Sequence, residues 1–357
     1  ANDEIEVVVY DSFNVSDTVS ATQGGGFSGP IFSNTLGTSN LRLGVNAGNS
    51  IASGGNQNTV VGDEAGTAIT TGIENVLIGH LTGDALTDAD FNVAVGRAAL
   101  STDTKGNKST AIGQGTLNGQ NFTTSTDTFN TAVGFFAGLA VTTGTFNTFI
   151  GGLAGDALTD ADFNVAVGTN ALTTDTLGSK STAIGHAALT TQNFGTATDT
   201  FNTAVGFAAG SAVTSGIKNT LIGADAGEAS TTGTFNTFVG YSAGESNIDG
   251  GQNVIMGALS NTAATGGDYA NGLGHSLNCV AGYTTLGKVN DDIRAAHGNV
   301  TWATVSDERV KKDIEDATVG LAFINDLRPV TFNYKNKGDL PENFRGYEEG
   351  STEVYKN

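Results

Sequence analysis

The clearest pattern of polar and apolar positions in this chain is a five-residue segment that recurs twelve times. Each copy has Asn or Ser, then Thr or Val, an apolar residue, a Val, Ile or Met, and finally Gly. The spacing of the copies runs 17, 17, 17 and 21 residues and repeats every 72 residues, and segments 83–96 and 155–168 are identical. So strict a period predicts a repeat architecture of stacked units. The copies begin at Asn58, Asn75, Asn92, Ser109, Asn130, Asn147, Asn164, Ser181, Asn202, Asn219, Asn236 and Asn253.

The three residues between the Asn and the Gly of each copy predict a short β-strand. Thr, Val and Ile favour strands, and a period of two places the second and fourth positions on one face and the third position on the other. Both faces are apolar, so one is predicted to fill the inside of a coil and the other to meet a neighbouring chain. The third position is usually Ala, whose small side chain suits the close approach of identical chains.

Glycine and asparagine mark the corners of each predicted coil. Gly follows every strand and recurs four residues later in most copies, which allows positive φ and tight turns. Asn side chains stacked in a column can form hydrogen bonds along a solenoid. The structural residues assigned to this repeat are exemplified by two copies, with Asn130, Gly134, Gly138, Asn202, Gly206 and Gly210. β-Hairpins in a large sandwich are the alternative, which the fixed spacing disfavours.

The Asn-Thr-Ala-Val-Gly…Ala-Gly pattern resembles the head repeats of trimeric autotransporter adhesins over roughly residues 40–260. The resemblance implies a mainly β fold, a left-handed β-roll or β-solenoid, with three identical chains intertwined or side by side. The predicted organisation is an amino-terminal segment at 1–39 that could attach to a larger assembly, a repeat shaft at 40–283, and a connector at 284–305. The two 21-residue copies predict longer loops near 118–128 and 190–200, which are candidates for a recognition surface.

Composition narrows the classes of partner. Residues 1–305 carry 25 acidic and 8 basic side chains, and the formal net charge of the whole chain is −20. Such an acidic body disfavours nucleic acid and anionic membranes as partners, and no transmembrane segment is apparent. The single cysteine, Cys279, forms no intrachain disulfide. No metal site is predicted from the four isolated histidines, and no cofactor is expected. The histidines are His80, His186, His275 and His297.

A different pattern begins after Gly287 and predicts a small α+β unit at 306–357. Charged residues become denser from Ser306 onward. Thr318 could cap a short helix that ends at Pro329, and residues 330–334 alternate like a strand. This change marks a domain boundary near residue 300.

The same segment resembles the endosialidase-type intramolecular chaperone at the carboxy end of phage tail spikes and fibres. The matching residues are the Ser-Asp-x-Arg-x-Lys run at 306–311 and the Gly-Leu…Leu-x-Pro-Val-x-Phe-x-Tyr run at 320–334. The resemblance implies a trimerising chaperone that cuts the chain between Val305 and Ser306, with Ser306 as nucleophile and Lys311 as base, Lys312 being a rival. Desolvation can lower the pKa of such a lysine so that it activates the serine. The 52 residues from Ser306 to Asn357 would form only part of that domain.

Four functions remain open from the sequence. The first is a trimeric, receptor-binding fibre of a phage tail, located on the extracellular virion, which contacts other tail proteins through its amino-terminal segment and a cell-surface glycan or protein through its loops. The second is an adhesin on a bacterial cell surface. The third is a glycan depolymerase that uses recurring carboxylate pairs, and the fourth is ice or mineral binding by threonine ladders. The carboxylate pairs are Asp88 with Asp90 and Asp160 with Asp162, and the threonine ladder includes Thr131, Thr148, Thr182, Thr203, Thr220 and Thr237.

Overall fold

The structure is a computed structural model that describes residues 36–289, 291–299, 303–304, 335–343 and 345–354. The chain divides into two compact units, Ala1–Val305 and Ser306–Asn357. In the described part of the first unit, every regular element is a short strand. None of the helical segments in the described residues has the length and hydropathy needed to cross a membrane.

The first unit is a β-solenoid in which each predicted repeat forms one coil. Fifteen of its strands stack in parallel with neighbours, from β1 to β21, and each of the twelve predicted copies contributes a three-residue strand. At roughly 4.8 Å per strand, fifteen coils extend about 70 Å. The strands of this stack are β1 (Leu41–Leu43), β2 (Thr59–Val61), β3 (Val76–Ile78), β4 (Val93–Val95), β6 (Thr110–Ile112), β8 (Thr131–Val133), β9 (Thr148–Ile150), β10 (Val165–Val167), β12 (Thr182–Ile184), β14 (Thr203–Val205), β15 (Thr220–Ile222), β16 (Thr237–Val239), β17 (Val254–Met256), β19 (Asn271–His275) and β21 (Tyr283–Lys288).

The stack extends one coil before and two coils beyond the twelve copies of the pattern. β1 pairs in register with β2, although Arg42 occupies the third position, where the pattern requires an apolar residue. β19 and β21 continue the register after β17. β22 (Asp291–Ala296) and β23 (Ala303–Thr304) then pair antiparallel, which ends the parallel stack. Three further two-stranded pairs come from β5 (Gly106–Asn107) with β7 (Thr126–Asp127), β11 (Gly178–Ser179) with β13 (Thr198–Asp199), and β18 (Asn261–Thr262) with β20 (Asn278–Cys279).

The third position of each strand faces the interior, which corrects the assignment of the alanine face to a neighbouring chain. Across the twelve copies this side chain is at most 1% exposed, whether it is Ala, Val, Leu, Ile or Phe. The second and fourth positions point outward and are half-buried or exposed. The core is therefore built from the third position together with alanine and aliphatic residues of the following turn, such as Ala154 and Leu158.

Bulk in the core is shared between the third position and the residue six positions later. Where the strand supplies Phe149, the later residue is Gly155, and a Cβ built there would lie 2.6 Å from the Phe149 ring. In the next coil the strand supplies Ala166, and the later residue is the buried Leu172. Gly155 and Leu172 have φ of 58° and 54°, so the two coils keep the same backbone corner. These two coils thus fill a similar interior with a different division of side-chain volume, whereas the coils of Ala132 with Gly138 and Ala204 with Gly210 have small residues at both positions.

The asparagine column forms the hydrogen-bonded ladder that was predicted. The Asn147 backbone N–H donates to Asn130 Oδ1 at 2.9 Å, and Asn147 Nδ2 donates to the Ala161 carbonyl at 2.7 Å. Asn164 and Ser181 continue the series through their backbone N–H groups. Because these side chains are buried, each one satisfies polar backbone groups that have no access to water.

Glycine follows the strand in all twelve copies, and no other residue type occurs at this position. Gly134, for example, has φ of 141°, and a Cβ built on it would lie 2.4 Å from the Gly151 carbonyl oxygen of the next coil. Gly138 and Gly210, four residues beyond their strands' closing glycines, both have φ of 60°. The close packing of coils therefore requires glycine at the first of the two predicted corner positions, whereas the second needs only a left-handed turn, which Leu172 also adopts.

In the second unit, the described residues form a short 3-10 turn and one bridge. The turn covers Lys337–Asp339, and Asn336 forms an antiparallel bridge with Val354. Lys337 Nζ contacts Glu353 at 2.7 Å and Glu348 at 3.0 Å, and these hydrogen bonds raise the pKa of the lysine above its ordinary value. The predicted helix capped by Thr318 and the strand at 330–334 lie outside the described residues.

Candidate functional site: an apolar face along the solenoid

The outward side chains of the parallel strands form one continuous surface, which we call the strand face. It consists of the second and fourth positions of each five-residue copy, which are the first and last residues of its strand, and none of them is charged in the twelve copies. The fourth position alternates between Val and Ile along the whole series until Met256 takes the place of the last Ile. The Ile side chains remain 37–41% exposed, at Ile78, Ile112, Ile150, Ile184 and Ile222.

The strand face is bordered on each side by a column of exposed residues. The leading edge is the residue just before each Asn or Ser, or before Ala270 in the coil of β19, and the trailing edge is the residue just after the glycine that closes the strand. All exposed aromatic side chains among the described residues lie in these two columns. They are Phe91, Phe129, Phe146, Phe163, Phe201, Phe235 and Tyr269 on the leading edge, and Phe135, Phe207 and Tyr241 on the trailing edge.

Leading-edge residues stack on one another through a shared backbone geometry. Each adopts a left-handed conformation, with φ between 51° and 63° in the twelve copies, although none is glycine. The Phe129 and Phe146 ring centroids are 5.3 Å apart, and those of Phe146 and Phe163 are 5.0 Å apart. Lys108 and Lys180 place their Nζ atoms 5.1 and 5.3 Å from the Phe129 and Phe201 ring centroids. The aromatic surface is therefore ordered, but half of each ring remains open to contact.

The extent of this surface sets it apart from ordinary exposed apolar residues. Single exposed apolar side chains are common in soluble proteins, whereas contiguous patches beyond a few hundred Å² mark interaction sites. Here the fourth position is Val, Ile or Met and the second is Thr or Val in all twelve coils, while the two edges mix aromatic residues with polar and charged ones. The strand face and its edges are therefore a candidate interaction surface that repeats with the coils.

The two long loops carry a second cluster, which is built twice. Phe122 and Phe194 anchor the loops and are 7% and 9% exposed, while residues 123–125 and 195–197 are exposed at the tips. Lys108 Nζ lies 2.5 Å from Asp127 Oδ2, and Lys180 makes the same contact with Asp199. The hydrogen bond from Lys108 holds the pKa of the Asp127 carboxyl below its ordinary value. The anchoring phenylalanine and the Lys–Asp contact, which form the frame of each loop, are the same in both loops. The tip residues differ: they are Thr-Thr-Ser in one loop and Gly-Thr-Ala in the other.

A buried polar network, which sequence reasoning missed, fixes the frame of each long loop. Asp103 accepts hydrogen bonds from Gln120 Nε2 at 2.6 Å and from the backbone N–H groups of Gly106 and Phe122 at 3.0 Å. Gln120 also contacts Asn130 and Ser109. Asp175, Gln192, Ser181 and Asn202 repeat the arrangement. The replacement of Asn by Ser at 109 and 181 was the signal, because only the coils with the extra residues carry it.

The recurring carboxylates serve the architecture. Asp90 Oδ1 accepts from the Ile73 backbone N–H at 2.8 Å, and Asp162 Oδ1 accepts from that of Thr145 at 2.7 Å. Asp160 accepts from Thr143 Oγ1 at 2.7 Å, and Asp88 pairs with Lys105 at 3.5 Å. These bonds join successive coils, as expected for residues that recur with the repeat.

The remaining candidate residues fall into two groups. Val305, Ser306, Lys311 and Lys312 lie outside the described residues, as does the amino-terminal segment except for residues 36–39. Within the described part of the chain, no cluster of His, Cys, Asp and Glu could hold a metal ion. Cys279 is fully buried, and burial raises the pKa of its thiol to about 11.

Comparison with known proteins adds one finding at the carboxy end. Residues 306–348 match the family described as the chaperone of endosialidase. The match begins at Ser306, the first residue of the second compact unit. A β-solenoid followed by such a segment is consistent with a tail fibre or tail spike that has a carboxy-terminal chaperone. No curated protein and no solved structure matches the chain significantly.

Proposed function

We propose that the protein is a trimeric attachment fibre of a phage tail, in which the solenoid is the shaft and residues 306–357 belong to a chaperone that guides its assembly. The observation that carries this proposal is the strand face, a long uncharged surface on a chain whose formal net charge is −20. The match to the endosialidase chaperone family supports the same assignment. The protein then acts on the extracellular virion.

Two further copies of the same chain are the partner that fits the strand face best. The face repeats with the spacing of the coils, so another solenoid can match it coil for coil. The absence of charge on positions two and four lets copies approach without repulsion between their acidic bodies. Association would cover the part of the Val and Ile side chains that is still exposed, 37–41% for the Ile residues, so each would contribute less than half of the roughly 1.5–3 kcal/mol of full burial. It would also cover the threonine ladder, which argues against ice or mineral binding.

The tips of the long loops are the proposed receptor contact. A constant frame with differing tips is suited to recognition, because the frame holds the loop while residues 123–125 and 195–197 vary. The receptor class is a cell-surface glycan or protein. Since the recurring carboxylates are used to join coils, binding without cleavage of the glycan is expected.

Incubation with purified bacterial surface polysaccharides tests the receptor proposal. We expect retention of at least one polysaccharide, no release of new reducing ends, and loss of retention when residues 123–125, 196 and 197 are all replaced by glycine, which residue 195 already is. A variant with Ser215→Lys, an exposed residue elsewhere in a coil, is the matched control and should bind normally. Release of reducing ends would favour a depolymerase, and unchanged binding by the glycine variant would remove the loops from the receptor site.

The chaperone segment is proposed to release itself after assembly. The Ser306 hydroxyl oxygen would attack the Val305 carbonyl carbon while Lys311 takes the hydroxyl proton and passes it to the departing amine of Ser306. Water would then hydrolyse the resulting ester, leaving a carboxylate at Val305 and a free amino terminus at Ser306. In protein that carries the complete chaperone, mass spectrometry should find this new terminus.

Variants of the dyad separate cleavage from folding. Ser306→Ala should abolish the cut completely while the solenoid still assembles, because the alanine lacks only the nucleophile. Lys311→Met should do the same, and Lys312→Met should cleave normally. Folded wild-type protein that stays intact over days would contradict the protease assignment, and loss of cleavage only in Lys312→Met would move the base to Lys312.

A further inference from the structure

In five of the twelve coils the two edges of the strand face carry complementary side chains. Coil by coil, the leading-edge residue and the trailing-edge residue are six positions apart in sequence. Aromatic residues stand at both edges in three coils, as Phe129 with Phe135, Phe201 with Phe207, and Phe235 with Tyr241. In another coil the pair is a carboxylate and an imidazole, Glu74 and His80. In a fifth coil it is an aromatic ring and a guanidinium group, Phe91 and Arg97.

The two residues of a pair cannot contact each other within one chain. They lie at opposite ends of a strand, and six residues of extended backbone span up to about 20 Å. Their contacts in the chain are with other residues: the Phe129 ring stacks on Phe146, and the Phe207 ring stacks on His186 with centroids 5.2 Å apart. The edge side chains are nevertheless about half exposed, at 47% for Phe129 and 51% for Phe135.

Threefold symmetry brings the two edges together between copies. If three strand faces surround an axis parallel to the solenoid, the strands run around that axis in the same sense. The trailing edge of one copy then borders the leading edge of the next, at the same level. Aromatic rings would meet aromatic rings, which adds roughly 0.5–1.5 kcal/mol per pair beyond burial. Glu74 would meet His80, and Phe91 would meet Arg97 in a cation–π contact.

We propose that the subunits of the fibre are joined along their edges by these pairs, each leading-edge residue packing against the residue six positions later in the neighbouring copy. The inference rests on the proposed trimer and adds its register: copies align level by level, without a shift of one coil. A ring of three copies related by threefold symmetry closes only without such a shift, and at that level Phe129 borders Phe135 and Glu74 borders His80. The pairs thus add specific contacts at the edges of an interface whose centre is nearly uniform.

Disulfide trapping tests the register directly. A chain with both Glu74→Cys and His80→Cys should, after oxidation, run as a covalent trimer on a denaturing gel without reductant, since each copy links to both neighbours. Phe129→Cys with Phe135→Cys should do the same. Either single substitution should give no covalent trimer, and native Cys279 is fully buried and remains in place. The polar pair at 74 and 80 keeps the test valid if loss of the aromatic rings impairs folding.

The control pairs residues from different levels, Glu74→Cys with Phe135→Cys, three coils apart along the solenoid. It should yield no covalent trimer. Solution mass measured in parallel separates the two hypotheses. A trimer in solution whose same-level pairs fail to cross-link, or whose control pair cross-links as well, would overturn the edge pairing and leave the fibre intact. A monomer in solution would overturn both.

Discussion

Replacing Ile150 and Ile184 by lysine is expected to dissociate the proposed trimer into monomers without unfolding the solenoid. Both side chains point outward from strands β9 and β12 and are 41% and 37% exposed in the single chain. In the trimer they would be covered, and a buried, unpaired ammonium group costs several kcal/mol. In the isolated chain the lysines remain in water, so the coil itself should tolerate them. Sedimentation velocity measures the change in mass, and circular dichroism measures whether the strands remain.

The control places the same two charges elsewhere on the coils. Thr142 and Ser215 are exposed and lie away from the strand face and its edges. Thr142→Lys together with Ser215→Lys should therefore remain trimeric, with an unchanged spectrum. If both double variants stay trimeric, the strand face is not the interface. If both dissociate, the effect is one of net charge.

The second large effect is expected in the core, at Phe149 and Gly155. Phe149→Ala should destabilise the protein by about 3–5 kcal/mol, because it leaves a cavity in a fully buried column. Gly155→Leu should destabilise it by a comparable amount, since even a Cβ there lies 2.6 Å from the Phe149 ring. The double variant reproduces the Ala166 and Leu172 arrangement of the next coil. We therefore expect it to be more stable than either single variant.

Denaturant unfolding of the four proteins gives the coupling energy between the two sites. Contacting residues commonly couple by roughly 0.5–3 kcal/mol, and a favourable value at the upper end is expected here. Gly195→Ala is the control for adding a methyl group, because a Cβ at that position has no atom within 4 Å. Additive effects of Phe149→Ala and Gly155→Leu would contradict the shared-volume description of the core.

The sequence predicted the solenoid well because its signals are local and repeated. The positions of Asn147, Thr148 and Gly151 recur with a fixed spacing, and each has a geometric requirement that the structure satisfies through the asparagine ladder, the strand and the close approach of glycine backbones. The first coil was not recognised from the pattern, because Arg42 occupies its third position, where an apolar residue is expected. Its guanidinium bonds to the Ala47 carbonyl oxygen.

The direction of the two strand faces could not be predicted from a period of two alone. Both faces are apolar, and small alanines suit a tight core as well as a tight interface. The burial of the third position decided the direction, and two adjoining coils agree with it, because Phe149 occurs with Gly155 and Ala166 with Leu172 in a shared interior. The fourth position shows no such exchange and simply alternates Val with Ile.

The candidate site was only partly visible in the sequence. The long loops were identified by their extra residues, but the network of Asp103 and Gln120 that fixes them depends on contacts across coils. The two edges became apparent only when exposure showed that every exposed aromatic ring in the described residues borders the strand face. The string from Ser306 to Tyr334 needed no structure, because its residue order alone carries the family match.

The mass of the native particle in solution tests the central claim most directly. Sedimentation equilibrium or light scattering should give three times the chain mass determined by mass spectrometry on the same sample, independent of concentration over the micromolar range. Such a mass would mean that neighbouring copies cover the strand face and the edge residues of each chain. A particle with the mass of a single chain would contradict the fibre and leave the strand face unexplained.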